Sequence, residues 1–345
     1  MKKFLALLLA AALMLTAGCG SVTYFEKEVT DEETVRIGLT EEPAVLDPAL
    51  CNTPRDMTLV SHLFEGLTEK NKEGETVGAA AEDWEVTRTK NAAKRPVYTF
   101  TLREDACWSD GTPLKAEDFI YAWTRVIGGE VESPYAYLFD VILGADSYDK
   151  EKDKEKEGVP GLEATEDGKL VVTLEGDCAY FPELVSHPAF FPVREKEVSR
   201  NEKGWSLSPE TLIGNGAYAL TEWVRDDHMT LKANEAYRAA DEIKGNTLDF
   251  VIRPEEELRE AAAGGEIQAA LAPIVGGRHI EIPDGSYHYY AINHATVTDE
   301  NLRQALALSL DREAVLAAAG TETRPVSGRA QDRFFPGEPL VPTDL

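Results

Sequence analysis

Residues 97–127, VYTFTLREDACWSDGTPLKAEDFIYAWTRVI, constrain the fold most, because the apolar period changes inside them. Val97 to Leu102 alternates, with Tyr98, Phe100 and Leu102 on one side and Val97, Thr99 and Thr101 on the other; this predicts a half-buried strand. Ser109-Asp110-Gly111-Thr112 is turn chemistry, since an Asp side chain bonds the backbone ahead of it and Gly accepts positive φ. Pro113 forbids a helix interior, so the next element starts after it. From Ala116 onward, Phe119, Ile120, Trp123, Val126 and Ile127 recur at helical spacing and form one apolar face. Glu117 and Asp118 lie in the first turn, where the helix dipole favours carboxylates. Trp123 is expected in the core. Strand, tight turn and helix in succession predict an α/β protein.

Other stretches extend this pattern. Val35–Leu39 reads as a strand, as does the alternation of Leu170, Val172 and Leu174 after the Asp167-Gly168 turn. Tyr218 to Trp223 and His228 to Ala233 read as a hairpin. Gly214 to Ala219 spells G-x-G-x-x-A, but a hairpin follows it rather than a helix, which excludes a dinucleotide loop. Pro254 to Ala263 predicts a helix with Glu255–Glu257 at its favourable end, stopped by Gly264-Gly265. Glu266–Leu271 and Tyr287–Asn293 are expected strands, and Thr298 the cap of a helix carrying Leu302, Ala305, Leu306 and Ser309. A further helix is expected from Asp311 to Gly320, and the charged run Tyr148–Gly158 is an exposed segment without a binding role.

The net charge of −27 repels phosphate backbones, so nucleic acid is excluded as a partner. Lys2 and Lys3, the apolar run Phe4–Leu15 and the small pair Ala17-Gly18 before Cys19 read as an export signal. That apolar run is shorter than the roughly 20 residues a spanning helix needs. Cys51, Cys107 and Cys178 make neither a CxxC pair nor a zinc pattern; free thiols and one disulfide both stay open. The six histidines (His62, His187, His228, His279, His288 and His294) are scattered, and HExxH, GxSxG and P-loop motifs do not occur. No cofactor, metal or catalytic set is read, and the chain is expected not to be an enzyme.

The stretch L-R-E-D-A-x-W-S-D-G-T-P-x-x-A-E-D-F-x-Y-A-W resembles the signature of the family 5 extracellular solute-binding proteins, the oligopeptide and dipeptide receptors of ABC importers. Leu46-Asp47-Pro48, His62–Leu67, Ser133-Pro134-Tyr135-Ala136, the N-G-A-Y-x-L-x-x-W run from Asn215, Gly265-Glu266-Ile267, and Leu302–Leu306 with Asp311–Ala314 are further similar elements. Cys107 and Lys115 depart from the pattern, Lys115 giving up a hydroxyl cap. The resemblance implies a two-lobed, type II periplasmic-binding-protein-like α/β fold with an inserted α+β domain. Its expected parts are a lipoprotein signal peptide (1–18), a tether (19–30), a first lobe (31–64 and 195–275), an inserted domain (65–194) and the start of an incomplete second lobe (276–345).

Ala17-Gly18-Cys19 resembles a lipobox, which implies lipidation of Cys19 and anchorage to the outer face of the cytoplasmic membrane. The implied ligand contacts are Asn52, Thr53 and Pro54 on a cleft rim, Tyr135 from the inserted domain and Tyr289 on a strand crossing between lobes. The implied function is capture of short peptides and delivery to an ABC permease. The resemblance stops near residue 316, before the part that in the family carries the acid holding a peptide's amino end. Weak peptide binding by this chain, or none, is therefore expected. The alternative is a truncated, non-transporting surface lipoprotein acting as sensor or scaffold, or inactive.

Overall fold

The computed structural model describes residues 21–24, 34–148, 158–271, 278–281, 292–293, 295–309 and 314. The chain begins with β1 (Ser21–Tyr24), β2 (Thr34–Leu39) and α1 (Pro54–Leu63). It continues through β3 (Thr68–Lys70), β4 (Thr76–Gly78), β5 (Ala81–Arg88), β6 (Pro96–Leu102) and α2 (Ala116–Ile127). After a 3₁₀ helix (Ala136–Val141) come β7 (Leu162–Ala164), β8 (Leu170–Thr173), α3 (Phe181–Leu184) and α4 (Glu195–Arg200). It returns by β9 (Tyr218–Val224), β10 (His228–Ala233), β11 (Thr247–Ile252), α5 (Glu255–Ala263), β12 (Ala269–Ala270) and β13 (Arg278–Glu281).

A mixed sheet of order β13-β1-β12-β2-β11-β10-β9 is built on β2. Strand β2 runs parallel to both β11 and β12, while β9, β10, β1 and β13 join antiparallel. The register sets Val35, Ile37 and Leu39 beside Leu248, Phe250 and Ile252, so alternate residues of both strands enter one core. The other face of β2 is covered too: a Cβ on Gly38 would lie 2.7 Å from Leu258 of α5. Only glycine lets that helix approach so closely.

A smaller sheet, β5-β6-β8-β7, carries the core of the middle segment. Tyr98 and Phe100 of β6 pair with Val172 and Leu170 of β8, and all four are buried, as the alternation predicted. Helix α2 packs its Phe119, Trp123 and Val126 inward; Ile120 and Ile127 are half-buried, and Ala116, Ala122 and Arg125 complete the enclosed face. Trp123 is fully enclosed, edge-on to Phe119, Phe139 and Phe190, and its indole N–H donates to the Phe190 carbonyl at 2.8 Å. At the start of α2 Lys115 gives no side-chain cap. Instead the Asp118 carboxylate accepts the Lys115 backbone N–H (2.9 Å) and the Trp108 indole N–H (3.3 Å).

Asn215, just before β9, bridges to the chain after α1. Its amide oxygen accepts the Glu65 N–H (3.0 Å) and its amide nitrogen donates to the Glu65 carbonyl (2.9 Å). Gly214 and Gly216 flank it because Cβ atoms there would lie 1.9 and 2.6 Å from backbone oxygens of Leu63 and His62. Beside them the buried Glu65 carboxylate accepts the Tyr237 hydroxyl (2.5 Å) and the Arg238 guanidinium (2.7 Å), which also reaches Glu69 (3.0 Å). The N-G-A-Y run is a packing joint, consistent with its exclusion as a nucleotide loop.

Several expectations change. Ser21–Tyr24, assigned to the tether, pairs with both β12 and β13, so that part of the segment belongs to the sheet. The strand expected over Glu266–Leu271 shortens to Ala269–Ala270, and Gln268 beside it bonds Arg36 twice, its N–H donating to the carbonyl (2.9 Å) and its side-chain oxygen accepting the N–H (2.8 Å). Of the two readings left open for Cys51, Cys107 and Cys178, free thiols are what the structure shows. The chain divides into two compact units, Met1–Ile282 and Pro283–Leu345, and the first contains the seven-stranded sheet, the four-stranded sheet and the small β3–β4 pair. In the second, α6 (Glu300–Ser309) is capped by Asp299 rather than Thr298, the Asp299 carboxylate accepting the Leu302 N–H at 3.2 Å. Leu302 and Leu306 are exposed on α6. Most of the charged run, the strand expected over Tyr287–Asn293 and the helix expected from Asp311 lie largely outside the described residues.

Candidate functional site

The expected contact residues of the first unit are held by the turn at Asp47. Its Oδ1 accepts the Ala49 N–H (3.0 Å), and its carbonyl accepts the N–H groups of Leu50 (3.0 Å) and Cys51 (3.2 Å). Pro48 cannot donate, so the turn closes on the residues beyond it. The second carboxylate oxygen receives Arg125 of α2 at 2.8 Å, with both side chains buried. The loop that follows is thereby fixed to the helix of the opening motif.

That loop delivers Asn52, Thr53 and Pro54 to the start of α1. Thr53 is its N-cap, the hydroxyl oxygen accepting the Asp56 N–H at 3.1 Å, and Pro54 occupies the first turn, where its missing N–H costs nothing. Asn52 and Pro54 are exposed and Thr53 is half-buried. Part of Thr53's capacity is thus spent on the helix. Cys51 points inward toward the Val45 carbonyl (3.5 Å), and burial, with Asp56 and Asp47 nearby, pushes its thiol far up and leaves it inert.

Tyr135 belongs to the middle segment. Its N–H donates to the Ser133 hydroxyl (3.2 Å), which sets the turn into the 3₁₀ helix. Burial, then Tyr137, then Cys51 raise the phenol above its ordinary range. The half-buried ring packs on His187 with centroids 4.6 Å apart at 60°. His187 is held near pKa 4 by burial, and its Nδ1 accepts the Ala189 N–H at 3.1 Å. The neutral imidazole therefore carries its proton on Nε2.

Asn52, Thr53 and Pro54 lie together at the start of α1 and Tyr135 lies against His187, while Tyr289 and Cys19 lie outside the described residues. Sequence reasoning missed His187 and Arg125. The Ser186-His187-Pro188 step before an aromatic run was the available signal for the first. Nothing local marked Arg125, whose partner is 78 residues away. Among the described residues no group of three His, Cys, Asp or Glu is placed to hold a metal ion. An exposed asparagine, a proline and a tyrosine ring suit polar and apolar contact with a bound molecule, not proton transfer.

The family model for bacterial extracellular solute-binding proteins, family 5, matches residues 75–338. The dipeptide-binding protein DppE of Bacillus subtilis is 32% identical over 329 residues, covering 90% of this chain and 59% of that protein. The periplasmic murein peptide-binding protein MppA of Escherichia coli is 31% identical over 296 residues, covering 81% of this chain and 53% of that protein. The structure of MppA in its unliganded open form superposes with a TM-score of 0.68 at 28% identity, over 91% of this chain and 61% of that one. The chain thus spans between half and three fifths of the length of these relatives. With that α/β fold, and with the family match covering most of its residues, the chain belongs to the family 5 bacterial extracellular solute-binding proteins.

Proposed function

We propose that this protein captures short peptides outside the cytoplasmic membrane for hand-over to an ABC permease. The observation that carries the reading is the family match over residues 75–338, taken with relatives named for dipeptide and oligopeptide binding. An extended peptide offers regularly spaced N–H and C=O groups, which a receptor pairs without regard to sequence. Tyr135 adds ring area and one hydroxyl for varied side chains. Binding rather than catalysis is the role, and Cys19, once lipidated, holds the protein at the outer membrane face. Asn52, Thr53, Pro54 and Tyr289 complete the proposed contacts.

Calorimetric titration of the full chain with a pool of tri- to pentapeptides tests the reading. Saturable binding at about millimolar affinity or tighter is expected, weakened by Tyr135→Ala by about 0.5–1.5 kcal/mol. Absence of saturable binding sinks the reading, and an unaffected Tyr135→Ala removes that ring from the site. Membrane fractionation of Cys19→Ala checks the anchor: equal retention of variant and parent overturns it.

A further inference from the structure

The ring of Tyr135 is held from behind. Two short 3₁₀ helices, Ala136–Val141 and Pro188–Phe190, pack against each other, and an aromatic side chain stands at the entrance of each. Phe139 of the first stacks on Phe190 of the second, with centroids 4.1 Å apart at 19°. At the two entrances Tyr135 and His187 meet, with centroids 4.6 Å apart at 60°. Both phenylalanines are buried, and the Phe190 carbonyl accepts the Trp123 indole N–H, so the second contact stands on an enclosed frame. The His187 ring is itself oriented, because its Nδ1 accepts the Ala189 N–H at 3.1 Å. Tyr135 is half-buried, and among the described residues His187 is the one aromatic ring packed on it. A side chain already ordered in the free receptor spares the entropy that binding would otherwise cost.

We propose that His187 is a positioning residue for peptide capture: its ring holds the Tyr135 ring in the orientation that meets the peptide. This rests on the peptide-binding reading, in which Tyr135 touches the ligand, and adds a residue that acts through it. The edge-to-face contact supplies the restraint, since an aromatic pair prefers that arrangement over free rotation of either ring. The hydrogen bond to Ala189 supplies the reference, tying the imidazole to the backbone of the helix it precedes.

Two substitutions separate this role from that of a helix cap. His187→Asn keeps an acceptor for the Ala189 N–H but has no ring; His187→Phe keeps a ring and loses the acceptor. Calorimetric titration of the full chain with the pool of tri- to pentapeptides should show His187→Asn binding about two- to tenfold more weakly than the parent, and His187→Phe close to the parent. In a Tyr135→Ala background, His187→Asn should bring no further loss. A readout without peptide is the 3-fluorotyrosine NMR line of Tyr135, identified by its disappearance in Tyr135→Phe. That line should move in His187→Asn and stay near its parent position in His187→Phe. Parent-like binding by His187→Asn, or an equal loss from it in the Tyr135→Ala background, overturns the positioning role and spares the peptide reading. A parent chain that binds none of the pool removes both.

Discussion

Asp47 and Arg125 meet at 2.8 Å with side chains 3% and 6% exposed, joining the turn before α1 to the last turns of α2. The aspartate is used twice, since its other oxygen caps the Ala49 N–H. Arg125 Nη1 is enclosed without a protein partner, so the pair carries a desolvation cost beyond its own attraction. Its value is positional: it fixes the loop that presents Asn52.

Removing one partner strands the other charge. Arg125→Ala should destabilise the protein by about 3–5 kcal/mol in urea unfolding. Arg125→Met combined with Asp47→Asn should recover most of that loss, because Asn keeps the Ala49 cap and no charge remains unpaired. A loss below about 1 kcal/mol for Arg125→Ala would mean that the pair is solvated.

Gly214 provides a sharper steric test. A Cβ there would sit 1.9 Å from the Leu63 carbonyl oxygen, a backbone atom that cannot swing aside. Gly214→Ala should therefore cost more than about 2 kcal/mol, at the upper end of overpacking effects. Gly176→Ala is the control: nothing lies within 4 Å of its Cβ position, so a change within about 0.5 kcal/mol is expected. Similar unfolding midpoints for the two variants would refute the close approach.

Trp123 unites two contributions that substitutions can separate. Trp123→Ala empties the space among Phe119, Phe139 and Phe190 and should cost about 3–5 kcal/mol. Trp123→Phe refills part of that space but leaves the Phe190 carbonyl without its donor, for a smaller loss of about 1–3 kcal/mol. Thermal midpoints should rank parent, Phe, Ala; an unchanged Ala variant would place this face outside the core.

What was legible in the sequence was what neighbours in the chain determine. The alternation of 97–102, the Asp110-Gly111 turn and the helical repeat from Phe119 each predicted the element found there. Contacts between distant segments left no local trace. Arg125, near the end of α2, has its partner Asp47 78 residues away. Ser21–Tyr24 looks polar enough for a tether, yet its backbone finds partners in β12 and β13. Thr298 and Asp299 are both competent caps, and only the geometry chose the carboxylate. Of the candidate site, the family motif marked Tyr135, but its neighbour His187 became visible only through the fold.

The final prediction concerns His187 and pH. Burial lowers its pKa from 6.5 to about 4, so the folded protein favours the neutral ring that accepts the Ala189 N–H. Between those values the unfolded chain binds a proton that the folded one refuses, so stability rises with pH across this window. The contribution is complete above about pH 6.5 and is lost as pH falls toward 4, by on the order of 3 kcal/mol. His187→Asn keeps an acceptor for the Ala189 N–H but does not titrate. Unfolding free energies of parent and variant, measured from pH 7 to pH 4, should therefore converge or cross as pH falls, the parent losing more. Parallel curves would show that the imidazole titrates alike in both states and that Tyr135 does not shelter it.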